Sequence, residues 1–101
     1  MLENAYEACL SYELSKAGIA HQRQLALPVV YDGKHIDSGY RLDLLVEGSV
    51  VVEVKAIDQL TPMHRAQLLS YLKLGRHKLG YLLNFNVRML NHGICRLANG
   101  L

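Results

Sequence analysis

The apolar positions change period along the chain, and each change marks an element. Over residues 3–17, Leu10, Leu14 and Ala17 follow a spacing of three to four, which predicts a helix, and Gly18 stands where a C-terminal cap belongs. Residues 22–31 read as a strand, with Pro28 marking an edge or a bulge. Asp32-Gly33 is a hairpin turn signal. Residues 34–46 run back from it, and Tyr40, Leu42, Leu44 and Val46 alternate with Arg41, Asp43 and Leu45. A turn at Glu47-Gly48-Ser49 leads into residues 50–56, an almost continuous apolar run of the kind that is covered on both faces. Thr61-Pro62 opens a second helix, with Thr at the cap and Pro in the first turn; it runs to about Leu74 and Gly75 closes it. Residues 79–86 form another apolar strand, and residues 93–97 a last short one.

The resulting order is α-β-β-β-α-β-(β), an α/β (α+β) chain with a mixed central sheet flanked by helices. The first three strands form an antiparallel meander. The strand at 50–56, the helix and the strand at 79–86 form a right-handed crossover, so those two strands are expected to be parallel. A chain of 101 residues suits one domain, spanning 1–101.

Composition narrows the field. Half of the residues are apolar or aromatic and 20% are charged, which excludes disorder and low complexity. Eleven Lys and Arg against nine Asp and Glu leave a net charge of +2, without the strong basic footprint that alone would argue for nucleic acid. No apolar run approaches a membrane span. The N-terminal residues are acidic where a signal peptide is basic, so a cytoplasmic location is expected. Cys9 and Cys95 build neither a disulfide framework nor a zinc site, and His21, His35, His77 and His92 form no constellation.

Glu53 and Lys55 break the apolar run, and at i and i+2 they share one face. Buried ionised groups cost several kcal/mol unless paired or bound to metal. A solvent-facing strand or a structural ion pair is the plain reading of Glu-x-Lys in isolation; the preceding hairpin changes it. If Glu47-Gly48-Ser49 is a three-residue loop, Val46 pairs with Val50, Asp43 lies opposite Glu53, and Arg41 lies opposite Lys55. A two-residue loop would send Asp43 to the other face. Opposed Cβ atoms lie ~4.5–5.5 Å apart, where like charges repel. A divalent cation is the simplest compensation, because hard cations take carboxylate oxygens and water. Gln67 and Tyr71, at i and i+4, share a helix face with His64 one turn earlier. Glu3 and Glu7 form a similar stripe on the first helix, where acids suit the helix dipole or lean over the carboxylate patch.

Asp43, then Glu53-Val54-Lys55, then Gln67 and Tyr71 on the following helix, resembles the PD-(D/E)xK nuclease superfamily, and Gln-x-x-x-Tyr resembles its RecB-type and Cas4-type branches. More closely, the chain resembles the small GxxExxY family of that superfamily. The matching stretches are Leu2-Glu3-Asn4-Ala5-Tyr6-Glu7, Leu27-Pro28-Val29-Val30-Tyr31, Gly39-Tyr40-Arg41-Leu42-Asp43, Val52-Glu53-Val54-Lys55-Ala56, Leu60-Thr61-Pro62-Met63-His64 and Leu83-Asn84-Phe85-Asn86. The glycine of GxxExxY would fall just before Met1, so the first helix is expected to be shortened relative to the family. The proline that often precedes the first acid is Leu42 here.

The resemblance implies a restriction-endonuclease-like core and a metal-dependent nuclease, a hydrolase of phosphodiester bonds. Asp43 and Glu53, with the backbone carbonyl of Val54, would hold Mg²⁺ or Mn²⁺. Lys55 would orient or deprotonate the attacking water or offset charge on the phosphate. Gln67 and Tyr71 would position metal waters or the substrate backbone, and Glu3 or Glu7 would serve a second ion or its water shell. Arg41 and His64 would contact nucleic acid, with DNA ahead of RNA. A homodimer or a partner protein would extend the small substrate surface. The alternative is a catalytically inert module that keeps the nuclease fold for nucleic-acid binding or assembly; a third reading makes the charges a structural salt-bridge cluster.

Overall fold

The computed structural model describes residues 2–100. Helix α1 (Leu2–Lys16) is followed by β1 (His21–Ala26), β2 (Val29–Tyr31), β3 (Lys34–Ile36), β4 (Arg41–Val46) and β5 (Val50–Lys55). Then come α2 (Pro62–Gly75), β6 (Leu79–Asn84), a short 3₁₀ turn (Leu90–Gly93) and β7 (Ile94–Ala98). Five strands form one mixed sheet in the order β1-β4-β5-β6-β7, and β2 and β3 form a separate hairpin.

The two long strands expected at 22–31 and 34–46 each break in two. Pro28 cannot donate to a ladder, and β1 stops at Ala26. On the return, residues 37–40 form a compact turn. Ser38 Oγ donates to the Leu27 carbonyl (2.6 Å), the Gly39 N–H donates to Asp37 Oδ1 (2.9 Å), and Gly39 takes a left-handed φ of 77°. The outer segments remain paired as the hairpin β2–β3, while β1 pairs antiparallel with β4 from His21↔Val46 to Ala26↔Arg41.

The rest of the meander and the crossover agree with the sequence reading. β4 and β5 are antiparallel with Val46↔Val50 in register, and β5 and β6 are parallel from Val50↔Leu79 to Lys55↔Asn84. β7 closes the sheet antiparallel to β6. Glu47 and Gly48 both take left-handed φ values (53° and 67°), and the Ser49 N–H returns to the Val46 carbonyl (3.0 Å), which sets the loop length. At the end of α2 the left-handed residue is Arg76 (φ 58°) rather than Gly75. Gly75 serves close approach: a Cβ there would lie 2.7 Å from the His77 ring.

Each face of the sheet carries one helix. On one side Leu68, Tyr71 and Leu72 of α2 pack with Leu42, Leu45, Val51, Leu82 and Cys95. On the other, Tyr6 and Leu10 of α1 cover Leu44, Val52 and Val54, and the Tyr6 and Phe85 rings stack with centroids 4.7 Å apart. β5 is thus covered on both faces, as its apolar run predicts. Among the described residues no helix is long and apolar enough to cross a membrane.

Candidate active site

Strict alternation would put Leu42 and Leu44 on one face of β4, yet Leu42 packs with α2 and Leu44 with α1. The face therefore switches at Asp43. Its partner across β1 behaves in the same way. Gln24 has a left-handed φ of 49°, and the β1–β4 pairing skips the Gln24–Asp43 step while keeping its register on either side. The β4–β5 ladder likewise ends at Leu44↔Val52.

Side chains take over where that ladder stops. The Asp43 N–H donates to Glu53 Oε2 (2.8 Å), and the Val54 N–H donates to Asp43 Oδ2 (2.8 Å). The two carboxyl groups predicted to oppose each other are thus neighbours, each held by the other strand's backbone. Burial pushes the Glu53 carboxyl up to about 8, and the Asp43 charge adds to the rise; Lys55 opposes it. Asp43 is also raised, first by burial and then by the Glu7 charge, against the Val54 hydrogen bond and the Lys55 charge. Lys55 follows Glu53 and Val51 on the α2 face of β5, so its ammonium acts on both acids.

Glu7 is 4% exposed in the middle of α1. Arg23 Nε and Nη2 both reach its Oε2 (3.0 and 2.9 Å), and the Gln24 amide donates to its Oε1 (2.7 Å). The same amide lies 3.4 Å from Asp43 Oδ1, so Gln24 stands between the helix carboxylate and the strand carboxylate. Glu3 Oε2 accepts from the Ala56 N–H (3.3 Å), one residue beyond Lys55. Both α1 acids come to the patch, and both are already held by protein donors.

Tyr71 is buried, and its ring lies 5.7 Å from that of Tyr40. Its phenol is raised by burial first and then by the Glu53 charge, which places the hydroxyl in the field of the acids. Gln67 is exposed one turn earlier. His64 acts locally, at the start of α2. Its Nδ1 accepts from the Thr61 N–H (3.0 Å), filling the place of the Glu or Gln of a capping box. Arg41 is exposed and leans toward β1, with Nη1 donating to the Gln24 carbonyl (3.3 Å).

Arg23 and Gln24 were not visible as site residues from the sequence. Their signal is positional: both lie opposite the Leu44–Asp43 step, but only the β1–β4 register reveals it. Asn84 is a third such residue. Buried beside Lys55, its amide accepts from the Ile57 N–H (3.1 Å) and donates to the Ile57 carbonyl (2.9 Å), which fixes the chain leaving β5.

Among the described residues no three His, Cys, Asp or Glu side chains gather into a ready metal cage. A buried and a half-buried carboxyl side by side, with protein amides on one side, still suit a hard divalent cation, which needs only one or two carboxylates and otherwise keeps water.

A mixed sheet flanked by helices, with an Asp and a Glu-x-Lys meeting where two antiparallel strands part, defines a restriction-endonuclease-like domain. The family model of the PD-(D/E)XK nuclease superfamily matches residues 1–97, and the chain belongs to that superfamily. No curated protein and no solved structure matches it.

Proposed function

We propose that this chain is a metal-dependent phosphodiesterase that cleaves nucleic acid, DNA ahead of RNA, and that it falls in the GxxExxY group near the RecB-type and Cas4-type branches. The supporting observation is the reciprocal bonding of Asp43 and Glu53, which leaves the buried Glu53 and the half-buried Asp43 side by side with the Lys55 charge acting on both.

Asp43, Glu53 and the Val54 carbonyl would hold Mg²⁺ or Mn²⁺. When bound, the ion supplies a Lewis acid for the scissile phosphate and lowers the pKa of a coordinated water. The Val54 N–H fixes one Asp43 oxygen and the Asp43 N–H fixes one Glu53 oxygen, so the facing lone pairs are oriented before substrate arrives. Lys55 orients the attacking water and offsets negative charge growing on the phosphate. Tyr71 and Gln67 position water or the strand backbone from α2. Glu7, anchored by Arg23 and Gln24, sets the Gln24 amide against Asp43. Glu3 holds the Ala56 amide just after Lys55. Arg41 contacts phosphate from the β1 edge, and a homodimer in the cytoplasm supplies additional binding surface.

The test is cleavage of single-stranded DNA, double-stranded DNA and RNA with Mg²⁺ or Mn²⁺. Activity that Asp43→Ala and Lys55→Ala abolish supports the reading. Inactivity on all three substrates, with no Mn²⁺ bound in calorimetry, refutes it and leaves an inert module with the nuclease fold.

A further inference from the structure

Lys55 and Asn84 are paired neighbours in the parallel ladder, and adjacent strands lie ~4.8 Å apart. Both project to the α2 face, since Lys55 follows Val51 and Asn84 follows Leu82 in alternation, and Val51 and Leu82 pack on α2. A cavity of about 240 Å³ opens just past Asn84, one strand over from the proposed catalytic lysine. It lies beyond the carboxyl ends of two parallel strands, where open α/β sheets take their ligands.

Its lining combines two chemistries. Asp58, Gln59, Arg65 and His92 bring polar groups, and Val87 and Ile94 bring apolar surface. The four polar side chains are exposed, and little of their polar capacity is tied up within the protein. The ion pairs among the described residues are Lys16–Glu13 and Arg23–Glu7, so Arg65 and Asp58 line one cavity without pairing. Among the described residues the side chains of Gln59, Arg65 and His92 make no hydrogen bond, and Asp58 has only a 3.5 Å contact from the Asn86 amide. The Asn84 amide is engaged by the Ile57 backbone and the Asn86 N–H and forms a fixed wall.

A phosphate would meet the Asp58 carboxylate and is the wrong ligand. A nucleobase fits: it is flat, apolar on its faces, and carries donors and acceptors together on its edge, which an acid, an amide and a guanidinium satisfy together. A paired base is stacked and cannot enter. We propose that this cavity is a subsite for one unpaired base of the strand bound at Asp43, Glu53 and Lys55, so that the enzyme takes single-stranded or locally opened nucleic acid. This rests on the nuclease reading for the nature of the ligand, but its test is binding rather than cleavage.

The probe is a short single-stranded DNA and the same strand carrying one abasic site, scanned along its length. Affinities are measured with Ca²⁺ and again with EDTA, on wild type, Asp58→Ala and Arg65→Ala. Both positions are exposed, and circular dichroism checks the fold. The expected result is a roughly tenfold loss of affinity for wild type when one particular base is missing. Both variants should lose affinity for the intact strand and bind intact and abasic strands alike. If Arg65 served only phosphate, Arg65→Ala would weaken both strands equally; that result overturns the proposal, as does a wild type indifferent to every abasic position or one that binds no strand. Base discrimination without cleavage would fail the nuclease reading alone, and cleavage without discrimination would fail this inference alone.

Discussion

Asp43 and Glu53 are tied across two strands: the Asp43 amide donates to the Glu53 carboxyl, and the Asp43 carboxyl accepts from Val54, the residue after Glu53. Side chains complete a ladder that the backbones abandon at Leu44↔Val52. Two acids that would repel each other once both ionise are therefore held together by bonds that belong to the fold.

Replacing Glu53 with Gln should leave metal-free stability unchanged or raise it. The amide oxygen still accepts from Asp43, and the fold no longer has to bury a carboxyl beside the Asp43 charge. Chemical denaturation in EDTA measures this. A clear loss of stability would show that Glu53 and Lys55 form a structural ion pair.

The metal-free protein should lose stability as pH rises. Glu53 sits at about 8 in the fold against an ordinary 4.5, so the fold holds its proton more tightly than the unfolded chain does. That contribution is complete below the ordinary value and disappears as pH climbs through the folded one. Asp43, raised in the same direction, adds to the trend. Melting temperatures in EDTA from about pH 5 to about pH 9 should fall, and Glu53→Gln should flatten the slope.

Mn²⁺ should bind with release of protons. The acids must ionise to ligate a cation, and Glu53 is largely protonated at neutral pH. Calorimetry at pH 7 in buffers of different ionisation heat should show roughly one proton released, with affinity rising toward higher pH. An apparent enthalpy that does not change with buffer would contradict this.

Arg23→Ala should destabilise the domain by about 1–3 kcal/mol, because Glu7 keeps its burial and loses two charged hydrogen bonds. It should also lower cleavage through Gln24, which would lose a fixed neighbour beside Asp43. Denaturant midpoints and rates of the same variant separate the two effects.

His64→Ala should cost about 1 kcal/mol through the helix cap. Undiminished cleavage and strand affinity in that variant would assign His64 to the cap alone. Reduced affinity at unchanged stability would return it to the nucleic-acid contacts that the resemblance implies.

Much of the candidate site's geometry could be read from local rules. The three-residue turn at Glu47-Gly48-Ser49 sets the parity that brings Asp43 beside Glu53, and the apolar run of β5 makes its two charges conspicuous. Thr61-Pro62 marks the start of α2, and the spacing of Gln67 and Tyr71 follows from helical period. These features depend on neighbours in the chain, and periodicity and turn chemistry act over a few residues. Tertiary structure decided the rest. Alternation predicts Leu42 and Leu44 on one face; long-range pairing with a left-handed Gln24 puts them on opposite faces and turns Asp43 between the strands. The Arg23–Glu7–Gln24 cluster joins α1 to β1 across sixteen and seventeen positions of sequence, and the cavity beside Asn84 draws on four separate segments. No local signal specifies such meetings, because they arise only when two helices and five strands bury their apolar faces together.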